Sequence, residues 1–86
     1  MKRTDDQIND DIAVLLRAML DKLEANKSKP YWDKESLLTL AKLMQGEVDE
    51  LVDAILHGSQ QDIIMEAADV ANFAMMIASN AKRGMK

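Results

Sequence analysis

The stretch Ile63-Ile64-Met65-Glu66-Ala67-Ala68-Asp69-Val70-Ala71-Asn72-Phe73-Ala74-Met75-Met76-Ile77-Ala78 decides how the chain folds. Of its sixteen residues only Glu66, Asp69 and Asn72 are polar. These three recur at every third position, so they share one face of a helix that is apolar nearly all round. Such a helix is expected to be buried on most sides. It is too short and too polar to span a membrane.

Working outward, Ser59 precedes the stretch and Asp62 follows three residues later, a capping signal that starts the helix at Ser59 or Gln60. The helix runs to about Arg83, where Gly84 stops it. The preceding segment predicts a helix from about Lys34 to His57, with Asp33 as N-cap and Gly58 as terminator. Along it Leu37, Ala41, Met44, Val48, Leu51 and Ile55 step by four and three, a helix–helix seam. A first helix is expected from about Asp5 to Asn26. Thr4 and Gln7 form its capping box, and Asp5 and Asp6 suit its positive start. Ile8, Ile12, Leu15, Leu16, Met19 and Leu23 form its apolar stripe, and Pro30 ends any continuation.

Three glycines and one proline in 86 residues are too few turn formers for a β-rich fold. The expected fold is therefore all-α, one helical domain over residues 1–86. A chain this short buries only about 60–65% of its unfolded surface. With no cysteine, disulfides cannot supplement that core. Three helices cannot surround the third on every side. A second subunit should cover it, giving four-helix-type bundles in a homodimer or a dimer of dimers. Seven methionines supply adaptable packing.

The net charge of −4, from 15 acidic and 11 basic residues, speaks against a duplex-DNA binder. An apolar content of 48% excludes disorder. The first residues lead into charge and not into an apolar signal region, so a cytoplasmic protein with no membrane partner is expected.

Two acidic pairs carry the chemistry: Glu47 with Glu50, and Glu66 with Asp69. Within each pair the i, i+3 spacing puts both carboxylates on one helix face, with Cβ atoms about 5–6 Å apart. Each pair also continues an apolar row: Leu40, Leu43, Glu47, Glu50, Ala54 on the second helix, and Glu66, Asp69, Phe73, Met76 on the third. The short turn between these helices makes them antiparallel, so the pairs can face each other. Four partly buried carboxylates repel, at several kcal/mol per uncompensated ion. A divalent cation relieves this. An all-oxygen set without His or Cys selects Mg²⁺, with Mn²⁺ as substitute, over Zn²⁺. Mg²⁺ held by carboxylates suits hydrolysis of a phosphoanhydride, with Glu47 or Glu50 handling the proton of the attacking water.

With Gly46-Glu47-Val48-Asp49-Glu50-Leu51-Val52-Asp53-Ala54 and Glu66-Ala67-Ala68-Asp69-Val70-Ala71-Asn72-Phe73, the chain resembles the MazG-like all-α nucleotide pyrophosphohydrolases from about Trp32 to Ala78. The resemblance implies Mg²⁺-dependent hydrolysis of nucleoside triphosphates to the monophosphate and pyrophosphate, in a house-cleaning role. It implies that Glu47, Glu50, Glu66 and Asp69 are the metal ligands and that the protein is a dimer or a tetramer built from dimers. Related branches act on dUTP or dUDP, or on phosphoribosyl-ATP. One departure is that many relatives carry a further Glu where this chain has Gly46, which serves close packing or a local bend. The expectation is one firmly bound Mg²⁺, with a second arriving with substrate.

Around this centre, Asn72 shares the face of Glu66 and Asp69 and is a candidate for a phosphate or sugar hydroxyl. Trp32, after Tyr31, is a candidate to stack on a base, or else an anchor of the loop on the core. Phe73 reads as core and His57 as a helix-end residue. Lys34, Lys82 and Arg83 are candidate phosphate contacts, with Lys27, Lys29 and Lys86 nearby; helix-dipole complementation is the other role for Lys82 and Arg83. A non-catalytic helical oligomerisation or partner-binding module is the alternative function. A di-iron carboxylate bundle lacks its Glu-x-x-His motifs.

Overall fold

The computed structural model describes all 86 residues as three helices: α1 (Asp5–Ala25), α2 (Leu37–His57) and α3 (Gln60–Lys82). There are no strands. The all-α expectation is met, and no helix is long and apolar enough to cross a membrane.

Local signals set the ends. Thr4 accepts from the Gln7 N–H at 3.1 Å while the Gln7 side chain accepts from the Thr4 N–H at 3.0 Å. Ser59 and Asp62 form the same reciprocal box at the start of α3, at 3.1 and 3.0 Å. Only Gly58 and Ser59 separate α2 from α3, so the two form an antiparallel hairpin. Gly58 is extended there (φ −95°, ψ 176°), and a Cβ on it would stand 2.9 Å from the Ala54 carbonyl oxygen. The residue is needed for closeness, and no left-handed turn is involved. Gly84 does take a positive φ of 90° and ends the chain's last turn.

The start of α2 departs from the sequence reading. The cap is Ser36 and not Asp33, with the Ser36 hydroxyl accepting from the Thr39 N–H at 3.1 Å. Asp33 and Lys34 lie instead in a turn closed by the Glu35 N–H donating to the Trp32 carbonyl at 2.9 Å. Asn80 of α3 holds that turn. Its side chain is fully buried and donates to the carbonyls of Trp32 (2.7 Å) and Glu35 (3.0 Å), while its oxygen accepts from Arg83 (2.6 Å). The Leu37 N–H, the first in α2, donates to the Lys86 carbonyl at 2.9 Å. Asp33 and Ser36 are both local cap candidates, and tertiary bonds from the C-terminal end of α3 and the tail decide between them.

α3 is the central helix. α1 and α2 each pack against it and do not approach each other. Small residues make this possible: Ala68 is fully buried at the contact, with Ala18 of α1 and Leu40 and Ala54 of α2 the other buried apolar residues. The gap between α1 and α2 stays open as a cleft over α3. Gly46 has nothing within 4 Å of its would-be Cβ, so close packing within the subunit is not its role.

The resulting shape is open. The radius of gyration is 14.3 Å, against about 12 Å for a compact chain of this length. The accessible surface is 6606 Å², some ~1,500 Å² more than expected for a monomer of 9.6 kDa. Ile12, Leu16 and Leu20 of α1 and Val52, Ile55 and Leu56 of α2 are all at least half exposed.

Because Asn80 satisfies two backbone carbonyls at once, Asn80→Ala should cost about 2–3 kcal/mol. Urea unfolding should show a lower midpoint with an unchanged slope.

Candidate metal centre

The α2–α3 hairpin brings the two acidic pairs together. One carboxylate oxygen from each of Glu47, Glu66 and Asp69 lies within 4.8 Å of the others. Oxygens around a six-coordinate Mg²⁺ at about 2.1 Å stand roughly 3.0–4.2 Å apart, so small side-chain rotations would close this triad on an ion. Glu47 Oε2 and Glu66 Oε2 are buried without any hydrogen-bond partner. Orphaned carboxylate oxygens facing one another are what a cation site offers, and this donor set fits one.

Glu50 is the exposed member of the cluster: its carboxylate touches those of Glu47 and Glu66 but is not among the three that all lie within 4.8 Å of one another. It is exposed and, with Glu66, borders an open depression of about 510 Å³ that Asp49, Asp53, His57 and Asp62 also line. It acts on the triad both by contact and by charge. The Glu47 carboxyl is pushed up to about 7, first by burial, then by contact with Glu50, which favours a shared proton, and by the charges of Asp69 and Glu66. The Glu66 carboxyl is also raised, first by burial and then by Asp69 and Glu50, while Lys22 opposes the rise.

Lys22 is the residue that the sequence reading missed. From α1 its Nζ reaches Asp69 Oδ2 at 3.1 Å, with both side chains mostly buried. The other two ion pairs, Arg17–Asp21 and Glu24–Lys27, are exposed and lie within one stretch of chain. On the sequence, Lys22 is one lysine near the end of an amphipathic helix. Only the packing of α1 on α3 turns it toward the acids.

Beside the triad lies the α1–α2 cleft, about 860 Å³ in volume. Glu47 and Asp69 reach into its lining, together with Trp32, Leu40, Asn72, Phe73 and Met76. Asn72 is 5% exposed; its amide donates to the Met19 carbonyl at 3.2 Å, while its oxygen is buried and unpaired. The Trp32 indole N–H donates to Ser79 at 3.2 Å, which anchors the loop and leaves the ring on the cleft. Among the expected phosphate contacts, Lys34 and Lys82 are exposed and outside this lining. Arg83 is committed to Tyr31, Asn80 and Ser79. The basic residues that do line the cleft are Lys22, Lys27 and Lys29.

A helical hairpin that gathers carboxylates beside a cleft of nucleotide size is what the class of MazG-like all-α pyrophosphohydrolases is expected to show. Within it, residues 14–82 match the family model described as phosphoribosyl-ATP pyrophosphohydrolase, and the chain belongs to that family. The match takes in both acidic pairs, Lys22 and most of α1. The chemistry is hydrolysis of a phosphoanhydride bond in a nucleotide. No curated protein and no solved structure gives a significant match.

The charge crowding has a thermodynamic signature. Glu47 binds its proton more tightly folded than unfolded, so its stabilising effect is full below pH 4.5 and is lost as pH rises through about 7. Between pH 5 and 8 the metal-free protein should therefore melt at progressively lower temperature, and a divalent cation at pH 8 should recover the loss. Glu47→Gln should flatten that slope. A pH-independent melt in wild type would show that the carboxylates do not oppose one another.

Proposed function

We propose that this chain is a Mg²⁺-dependent nucleoside triphosphate pyrophosphohydrolase that releases the monophosphate and pyrophosphate from canonical or modified (d)NTPs in the cytoplasm. The observation behind this reading is the convergence of Glu47, Glu66 and Asp69, with two buried oxygens left unpaired beside the large cleft. A non-catalytic packing module would have no use for buried, mutually repelling carboxylates.

Glu47, Glu50, Glu66 and Asp69 would hold the ion, with Mn²⁺ as a substitute for Mg²⁺. The bound cation supplies charge neutralisation of phosphate oxygens and acidifies an attacking water. Glu50, exposed beside Glu47, orients that water and accepts its proton on a carboxylate oxygen. Glu47, in contact with Glu50, would share the task. The cleft takes the nucleoside: the Trp32 ring face and Phe73 contact the base, and the unpaired Asn72 oxygen accepts from a sugar hydroxyl or an amino group.

The working form is a homodimer or a dimer of dimers. The excess of about 1,500 Å² of surface per subunit exceeds the ~800 Å² per partner of a standard interface. The exposed apolar rows of α1 and α2 are the surfaces a second copy would cover, completing four-helix bundles.

Two measurements test these readings. With a panel of NTPs, dNTPs and phosphoribosyl-ATP plus Mg²⁺, at least one triphosphate should give equal amounts of monophosphate and pyrophosphate. Glu50→Gln and Asp69→Asn should each lower kcat by about 100-fold or more with the oligomer intact. No turnover by folded wild type rejects the activity. Light scattering at micromolar concentration should give at least twice the 9.6 kDa subunit mass, and a monomer rejects the assembly.

A further inference from the structure

Lys22 is the only cation paired across helices in this molecule, and its partner belongs to the carboxylate triad. The Nζ–Oδ2 distance of 3.1 Å and the low exposure of both side chains (28% and 18%) make this a built contact and not a surface pair. Lys22 also lines the large cleft together with Asp69 and Asn72. Its ammonium is therefore held on an acid of the triad at the wall of the same cleft that would take a nucleotide's phosphates. A lysine carries its charge on a flexible four-carbon stem, so Nζ can move several ångströms while α1 stays packed.

A divalent cation in the triad and an ammonium on the same Asp69 carboxylate repel each other. The two charges cannot both keep their best positions. A polyphosphate entering the cleft offers the displaced ammonium a new anion within reach.

Resting on the reading above, we propose that Lys22 is a transferable counter-cation: it neutralises Asp69 in the metal-free protein and moves to the substrate's polyphosphate when a divalent cation occupies the triad. It gives the site one positive charge when metal is absent and gives the phosphates that same charge when metal and substrate are present. It also links α1, which contributes no acid, to the loading of the site.

Lys22→Met and Lys22→Arg test this without reliance on turnover, circular dichroism confirming that both fold. With Mg²⁺ alone, calorimetry should show Lys22→Met binding about threefold or more tighter than wild type, because the competing charge is gone. Its metal-free melting temperature should fall. With inorganic tripolyphosphate in saturating Mg²⁺, Lys22→Met should bind about tenfold more weakly, the loss of one charged hydrogen bond. Lys22→Arg, which keeps the charge, should stay near wild type in tripolyphosphate affinity. Unchanged or weaker Mg²⁺ binding by Lys22→Met overturns the competition with metal. Unchanged tripolyphosphate binding, or none by wild type, overturns the transfer. Failure of the enzyme reading would appear separately, as tripolyphosphate bound with this dependence on Lys22 and no triphosphate hydrolysed.

Discussion

Mutual repulsion among carboxylates on the inner faces of α2 and α3 is the constraint around which this chain is organised. Glu47, Glu66 and Asp69 converge to within 4.8 Å, and two of their oxygens have no partner. Left to itself the hairpin would splay to relieve that crowding. It is held closed by small-residue contact at Ala54 and Ala68, by the tight Gly58 turn, and by proton uptake at Glu47. Lys22 adds a partial remedy from α1. The same features that make the hairpin hard to close make it attractive to a divalent cation, so the cost to folding and the affinity for metal have one origin.

The central position of α3 gives the site its shape. Because α1 and α2 pack on α3 but not on each other, one cleft runs between them, and the acids of α2 and α3 open onto it. Aromatic and polar residues that reach the cleft from the loop and from α3 are fixed by distant bonds: Trp32 through Ser79, Asn72 through the Met19 carbonyl. The openness of the subunit and the presence of a binding space are thus one fact. A tightly closed three-helix bundle would bury more apolar surface and have nowhere to admit a nucleotide.

Most of the fold was legible because its signals are local. The capping boxes at Thr4 and Ser59, the Gly58 stop and the helical apolar rows act within a turn or two of chain, and each is found where the spacing puts it. The start of α2 was not, because Asp33 and Ser36 are both good caps and the choice is made by Asn80 from the far end of α3. The candidate site divides in the same way. The acidic pairs could be read because i, i+3 spacing within apolar rows carries its own geometry. That Glu50 is the exposed member while Glu47 turns inward depends on the rotation of α2 about its axis, which periodicity fixes only loosely. Lys22 depends on the docking of α1, and nothing near it in sequence marks it out.

The two weaknesses of the isolated subunit point to two different remedies, and the structure keeps them apart. Uncompensated negative charge lies on the inner face of the hairpin, at the cleft. Uncovered apolar surface lies elsewhere, along Leu16 and Leu20 of α1 and Val52, Ile55 and Leu56 of α2. A cation answers the first and does nothing for the second, while an apolar partner surface answers the second and would only worsen the first. If one partner had to satisfy both, its interface would have to be apolar and cationic at once, and loading the site would compete with assembly. Separation would let a partner surface cover the apolar rows while the carboxylates stayed free to take a proton or a cation. A chain of 86 residues could then keep a charged, reactive site despite having only four buried apolar residues of its own.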